Sequence, residues 1–395
     1  MDSLGIYISV PFCRSKCTYC NFASGVFPSS YMERYIERVR EDLQAAVNAH
    51  ADMPGVADTI YLGGGTPSLL PAELLKALFQ AIREHFQVTG DAEITVECAP
   101  GQLADDALEA MLECGVNRIS FGVQSFIDQE SKATGRLHTR AIALEDIRRV
   151  QQAGIRRVNA DLIAGLPHQT AASWDESLAV LADTGVDHAS IYMLEVDDDS
   201  RLGREVLNGG ARYFAPAIPS DDAIADMYAG VVDVLSKQGL VQYEISNFAR
   251  DGAESVHNKR YWMRRPYLGL GVDAHSMLRN TSGEAIRFAA TDDLQSYLSS
   301  PGWNEFHTLT RQEEMEEAWF LGLRLNAGVS LSRLEAEFGR ESLVQFQPIL
   351  QGLCSHGLLE RKGDSIALTT RGRLLSNEVF AQFLDVMEIA DPVTV

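Results

Sequence analysis

The chain has 395 residues, 46% of them apolar, and a formal net charge of −21. That length exceeds one ordinary domain and the apolar share suffices for a large core, while the acidity opposes the attraction on which nonspecific nucleic-acid and anionic-membrane binding rests. The opening MDSLGIYISV has no basic region leading into a long apolar stretch, and no 18-residue apolar run occurs anywhere, so membrane spanning and secretion are not expected and the cytoplasm is.

A strand-then-helix rhythm recurs about every thirty residues, the length of a βα unit with its connections. The first strand, GIYISV, leads into PFCRSKCTYC, where Cys13, Cys17 and Cys20 are separated by three and then two residues. Thiolates are soft donors suited to iron-sulfur clusters, Cu(I) or zinc, and three on one tight loop can face a single centre. A 4Fe-4S cluster held by three cysteines keeps one iron open to a small chelating molecule, of which S-adenosylmethionine (SAM) is the best known. The competing readings are a zinc site short of its fourth ligand, with no His or Cys nearby to complete it, and cysteines that are merely buried and apolar. Cys98, Cys114 and Cys354 are scattered and read as small buried residues.

Helical periodicity follows over 29–49, then the strand DTIYLGG, whose glycines continue into Gly63-Gly64-Gly65-Thr66-Pro67-Ser68. Such a turn lets backbone amides approach a ligand closely, although any tight βα turn can look the same. Helices are expected over 71–86, 103–114, 138–153 and 171–184, alternating with the strands EITVEC, RISFGV, VNADLIAGL and HASIYML. Six alternating strands imply a parallel sheet, and the expected architecture is an α/β partial (β/α)6 barrel with its chemistry at the strand C-terminal ends. An open doubly wound sheet is the alternative, but G-x-G-x-x-G is missing after strand one. The cysteine loop, the glycine turn, Glu97, Gln124 and Asp161 all fall at or near strand ends, with Arg136 close behind. Each is ordinarily an ion-paired or loop residue. Together they offer acceptors for ribose hydroxyls and an amino group, and a cation for a carboxylate.

After the barrel strands comes His257-Asn258-Lys259-Arg260-Tyr261-Trp262. As a helix it puts His257 and Tyr261 on one face and Asn258 and Trp262 on another. Histidine is an axial ligand for haem iron, aromatic rings suit a macrocycle, and Lys259, Arg260, Arg264 and Arg265 could pair with its propionates. A packed His and Trp beside solvated basic residues explains the same run. Beyond about residue 301, acidic helices precede LLERKGDSIALTTRGRLLSNEVF, which reads as strand, turn at Gly363-Asp364, strand and helix. Helices followed by a hairpin suggest a winged-helix-like unit, but 14 Asp/Glu against 8 Lys/Arg over 301–395 favour an interaction or lid role over DNA binding.

YISVPFCRSKCTYCNF, YLGGGTPSLL, ITVECAPG, RISFGVQSF, GRLHT, DLIAGLP, HNKRYW and GLGVDAHS carry a resemblance that extends over nearly all of the sequence. The chain resembles the HemW family of radical-SAM haem chaperones, relatives of the oxygen-independent coproporphyrinogen III oxidase. The resemblance implies that Cys13, Cys17 and Cys20 bind the cluster with SAM as exchangeable fourth ligand. It also implies that Tyr7, Tyr19, Gly64, Gly65, Thr66, Glu97, Gln124, Arg136 and Asp161 contact SAM. Near Glu195 and His275 the family places further SAM contacts, which carry over only weakly because the local residue types differ from the oxidase, and by the same resemblance His257, Asn258, Tyr261 and Trp262 belong to a haem-binding motif. The oxidase has a further cysteine where this chain has Phe22 and a longer N-terminal extension before the position of Tyr7, so its oxidative decarboxylation is the alternative and is not expected. Haem degradation, known in some relatives, is less expected still. The expected organisation is a barrel over 1–240, an HNKRYW-containing connection over 241–300 and a C-terminal unit over 301–395. The expected partners are haem and an unidentified acceptor protein.

Overall fold

A computed structural model describes residues 3–50, 53–300 and 302–384; parts of the first and last expected domains, residues 1–2, 51–52, 301 and 385–395, lie outside the described residues. The expected βα units form in order: β1 (Leu4–Val10), α1 (Ser30–Ala49), β2 (Val56–Gly64), α2 (Ala72–His85), β3 (Gln87–Cys98), α3 (Asp105–Glu113) and β4 (Arg118–Gln124). After α4 (Asp128–Ala133) come α5 (Arg140–Gln152), β5 (Arg157–Ala164), α6 (Ala171–Asp183) and β6 (His188–Met193). Strands β1 to β6 pair in sequence order and all in parallel. Parallel strands covered on both faces read as continuous apolar runs, and Leu4, Ile6, Ile8 and Val10 of β1 are all fully buried. In α1 the buried Tyr35, Ile36, Val39, Leu43 and Ala46 follow the helical repeat that lays one stripe on the sheet. Thr139 caps α5, and Thr170 with Ser173 makes a capping box on α6.

The sheet does not stop at six strands. Past α7 (Arg201–Leu207) and α8 (Asp221–Lys237), β7 (Val241–Gln242) and β8 (Asn247–Ala249) add antiparallel pairs beside β6. HNKRYW lies in α9 (Val256–Trp262), after which β9 (Tyr267–Leu270) joins β1 in parallel on the opposite side. Then β10 (His275–Arg279), β11 (Ala285–Ala289) and, beyond α10 (Leu294–Ser299), β12 (Asn304–Thr308) continue it antiparallel. The result is one twelve-stranded sheet ordered β12-β11-β10-β9-β1-β2-β3-β4-β5-β6-β8-β7. These added strands are short and their sequences do not alternate strongly, so periodicity leaves them invisible.

The C-terminal unit is built from α11 (Arg311–Gly322), β13 (Val329–Ser330), α12 (Leu331–Phe338), α13 (Gln347–Ser355), β14 (Leu359–Lys362), β15 (Ser365–Leu368), α14 (Thr370–Leu374) and α15 (Ser376–Ala381). Its sheet is ordered β13-β15-β14, and Lys362 faces Ser365 across the expected two-residue turn, the order of elements in a winged helix. The rings of Trp319, Phe346 and Phe383 close its separate core. Contrary to the sequence reading, Cys354 is exposed, whereas Cys98 and Cys114 are buried as expected.

Candidate functional site at the C-terminal ends of the strands

The loop after β1 leaves the sheet and returns to it. Gly25 N–H donates to Pro11 O and Cys13 N–H to Gly25 O, each at 2.9 Å, so the cysteine run is closed into a lobe. Thr18 N–H donates to Thr134 O at 3.0 Å and Leu202 N–H to Thr18 O at 2.8 Å, tying the lobe to the α4 end and to α7. Cys13, Cys17 and Cys20 are unpaired and partly buried, and burial pushes the thiols of Cys13 and Cys20 up from their ordinary value. Such thiols keep their protons until a metal centre replaces them. The three thiols do not all lie within 4.8 Å of one another; among the described residues only Asp197, Asp198 and Asp199 bring three ligand atoms that close.

The glycine turn lies directly on this lobe, with Gly65 N–H donating to Val10 O and Thr66 N–H to Phe12 O at 2.8 Å. A Cβ on Gly65 would stand 2.8 Å from both carbonyl oxygens and 3.0 Å from Cys13 Sγ, so only glycine permits the approach. Gly64, at φ +99°, donates its N–H to Glu97 Oε2 at 3.1 Å, and Tyr61 Oη donates to Glu97 Oε1 at 2.8 Å. Gln124 ends β4 in left-handed backbone, φ 69°, where a strained non-glycine residue commonly marks function. Its Oε1, Tyr19 Oη and Arg136 Nε are buried without hydrogen-bond partners. Unsatisfied groups of both polarities gathered at one strand-end mouth are what an absent polar ligand leaves behind. Asp161 accepts from Asn159 Nδ2 at 2.6 Å and Ser120 Oγ at 3.4 Å; burial raises its carboxyl nonetheless. Burial opposes the charge on Arg136, but Asp161 nearby favours it, and the guanidinium stays protonated as arginine does throughout proteins.

Glu97 is pushed up to about 7, first by burial and then by Asp161, against the lowering effect of the Tyr61 hydrogen bond. Its unfolded counterpart gives up a proton near 4.5, so the contribution is fully stabilising below that pH and is lost as pH rises towards 7. The change amounts to about 3 kcal/mol. Urea midpoints should therefore show wild type losing that much more than Glu97→Gln between about pH 4.5 and pH 8; parallel pH profiles would mean that Glu97 is ionised throughout. A cationic group bound beside Glu97 would draw its pKa down, so this carboxyl is a ready acceptor for an ammonium.

The HNKRYW helix is as expected, with His257 and Tyr261 on one face, but its side chains divide three ways. His257 is 1% exposed; one ring nitrogen meets Thr59 Oγ1 at 2.9 Å and the other Tyr261 Oη at 2.7 Å. Tyr261 borders a cavity of about 280 Å³ shared with Tyr7, Phe22, Gly64, Tyr267 and His275. Asn258 lines a separate, smaller polar cavity with Glu97, Asp161 and His188. Trp262 turns to the C-terminal unit, where the Arg324 guanidinium stacks 4.1 Å from its ring. The basic residues are mostly spent inside the chain: Lys259 pairs with Glu254, Arg260 with Asp58, and Arg264 with Glu337 at 2.5 Å and Glu314 at 3.6 Å. Arg265 alone of the four is exposed and makes no ion pair among the described residues.

Thus Cys13, Cys17, Cys20, Tyr19, Gly64, Gly65, Thr66, Glu97, Gln124, Arg136 and Asp161 meet at the strand ends, with Tyr7 on the adjoining cavity wall. Trp262 is not brought to that cavity. Sequence reasoning passed over Tyr61, which anchors Glu97, and Tyr267 and Asp273, which wall the cavity. Tyr61 had a signal, since it sits two residues before Gly63 on a strand whose alternate positions face the same way.

Comparison with known proteins accords with this geometry. The Radical SAM superfamily matches residues 7–181 and the HemN C-terminal domain residues 309–375. Heme chaperone HemW of Bacillus subtilis is 33% identical, spanning 96% of this chain and 98% of that protein; heme chaperone HemW of Escherichia coli is 30% identical, spanning 97% and 99%. The solved coproporphyrinogen III oxidase (HemN) of Escherichia coli has the same fold, with TM-score 0.83 at 22% identity, covering 98% of this chain and 91% of that one. The chain belongs to the HemW family and has the radical SAM fold, a large sheet with parallel βα units followed by a C-terminal helical unit.

Proposed function

We propose that this protein binds haem and passes it to an acceptor protein, on a scaffold in which Cys13, Cys17 and Cys20 hold a 4Fe-4S cluster with SAM at its open iron. The observation that carries the reading is the convergence of the thiol lobe, the glycine turn and the unsatisfied Tyr19, Gln124 and Arg136 atoms beside an aromatic-walled cavity. The donor set fits SAM: Glu97 and the Gly64–Thr66 backbone for its amino group, Arg136 for its carboxylate, and Gln124 and Asp161 for ribose hydroxyls. When bound and reduced, such a cluster supplies radical chemistry through SAM cleavage. Whatever use the protein makes of that chemistry, its residues provide the binding, orientation and exclusion of water at the strand ends.

The HNKRYW helix supports haem binding mainly through Tyr261, whose hydroxyl His257 holds in place. Direct use of His257 on iron would require giving up its Thr59 and Tyr261 contacts. The names of the full-length relatives favour the haem reading, and the acidic balance disfavours a nucleic-acid partner. No helix among the described residues is long and apolar enough to cross a membrane, and all six cysteines are unpaired, both in keeping with the proposed cytoplasmic setting.

After anaerobic reconstitution, Cys13→Ala/Cys17→Ala/Cys20→Ala should carry only background iron and sulfide, while wild type carries about four of each, as one 4Fe-4S cluster requires. Reconstituted wild type should titrate with haem to a saturable Soret change and then surrender that haem to apomyoglobin as a probe acceptor. Protoporphyrinogen formation from coproporphyrinogen III, with reductant and SAM, would instead identify the oxidase activity and overturn the chaperone reading.

A further inference from the structure

We infer that the HNKRYW helix is a positioning element of the SAM site, holding Glu97 through Tyr61 and Asp161 through Tyr243, His188 and Asn159. The inference rests on the SAM reading above and deepens it by naming the side chains that keep the two carboxyl groups in place. Tyr261 stays with the larger cavity and with the haem reading. The helix is mounted on the strand that supplies Glu97. Within β3, Glu93 accepts from Val256 N–H at 3.1 Å and from His257 N–H at 2.9 Å, and Glu97 stands further along the same strand.

The first connection runs through ring packing and one hydrogen bond. The His257 ring lies against that of Tyr61, centroids 5.2 Å apart, and Tyr7 packs on Tyr61 at 6.1 Å. So held, the Tyr61 hydroxyl donates to Glu97 Oε1 at 2.8 Å while Gly64 N–H donates to Oε2 at 3.1 Å. Each oxygen has one assigned donor, which fixes the plane of the carboxyl group and leaves its other lone pairs for a bound ammonium.

The second connection is a chain of hydrogen bonds. Ser255, the N-cap of the helix, donates its N–H to Tyr243 Oη at 3.2 Å. Tyr243 Oη and His188 Nε2 are 2.9 Å apart, His188 Nδ1 and Asn159 Oδ1 2.7 Å, and Asn159 Nδ2 and Asp161 Oδ1 2.6 Å. The last link sets the direction of the rest. Asn159 donates to Asp161 through its amide nitrogen, so its oxygen accepts from His188 Nδ1–H, and His188 Nε2 accepts from the Tyr243 hydroxyl. Burial keeps His188 neutral, as this arrangement requires. Ser255 and Asn258 also share a polar cavity of about 50 Å³ with Thr95, Glu97 and Asp161, where Thr95 Oγ1 is buried without a hydrogen-bond partner. A space of that size and polarity suits bridging water rather than an organic ligand, which sets Asn258 on the SAM side of the helix.

The test is a calorimetric SAM titration of the full-length, cluster-reconstituted chain from about pH 6 to about pH 9, comparing wild type with Tyr61→Phe, Tyr243→Phe and Asn258→Ala. Tyr61→Phe removes a donor that favours the ionised form of Glu97, so the carboxyl should hold its proton to higher pH. The other groups facing Glu97, namely Asp161, Arg136, Tyr7, Tyr192 and Tyr261, are left as they are, and titration of the amino group of SAM itself is common to every chain. The expected result for Tyr61→Phe is SAM affinity about threefold to tenfold weaker at about pH 7 and close to wild type at about pH 9. Tyr243→Phe and Asn258→Ala should each lose about threefold at every pH. An equal loss at all pH values in Tyr61→Phe, or wild-type affinity in all three variants, would overturn the inference while the SAM reading stands. Should the tyrosine variants fail to fold, Asn258→Ala, at a half-buried position, decides alone: unchanged SAM affinity overturns the inference. Absence of saturable SAM binding by wild type would overturn both.

Discussion

Truncation of Arg260 to alanine is expected to cost about 3–5 kcal/mol, the range for breaking a buried ion pair by removing one partner. Arg260 is 2% exposed and pairs with Asp58; its guanidinium also donates to Ser3 O at 2.8 Å, Pro266 O at 3.0 Å and Ser3 Oγ at 3.2 Å. Its stem fills the space above Gly5, where an added Cβ would come within 2.5 Å of Arg260 Cδ. One side chain therefore fastens the HNKRYW helix to β1, β2 and the start of β9. The alanine variant leaves Asp58 and two carbonyl oxygens facing a void, so both desolvation and packing are lost. A denaturant midpoint shift worth less than about 1 kcal/mol would show that water refills the space and that the pair contributes no more than a surface bridge.

Acid should destabilise the fold through His257, with a slope that a single substitution removes. Burial, assisted by Arg260, lowers this imidazole from 6.5 to about 3. In the unfolded chain His257 takes up a proton below about pH 6.5 whereas in the native chain it does not, so stability is full above 6.5 and falls as pH drops towards 3. The whole shift corresponds to about 5 kcal/mol, and the part reached by about pH 5 to about 2 kcal/mol. Wild type should lose that 2 kcal/mol relative to His257→Gln when urea unfolding is repeated near pH 7.5 and pH 5. Identical pH slopes in the two chains would mean that His257 protonates in the native state. His188, buried between Asn159 and Tyr243 and also lowered by burial, adds the same sign in both chains and cancels in the comparison. The experiment also matters for function, since loss of haem from a His257 variant can reflect a loosened fold.

Much of the barrel was legible because its signals are local. Ile6, Ile8 and Val10 announce a buried strand whatever follows, and the helix boundaries of α1, α2, α3, α5 and α6 fall within two residues of their periodic segments. The site was legible for a related reason: in a parallel βα array the strand ends must share one mouth, so residues distant in sequence are brought together by topology alone. The added strands β7 to β12 were not legible, since a strand of two to five residues carries too few alternations to separate it from loop.

What the sequence by itself determined is the order of the βα units, the cysteine lobe, the glycine turn and the set of polar groups at the strand ends. Each follows from residue type and spacing along a continuous segment. What only the tertiary structure decided is availability. His257, Arg260 and Trp262 look alike as candidates for a macrocycle on paper, yet folding places one behind Tyr261, one in a buried pair with Asp58 and one beneath Arg324. His275, near which the resemblance places a contact, is left exposed on the cavity wall. The reason is physical: whether a side chain can meet a ligand depends on which partners reach it first, and for Arg260 those partners, Asp58 and Ser3, come from 202 and 257 positions away.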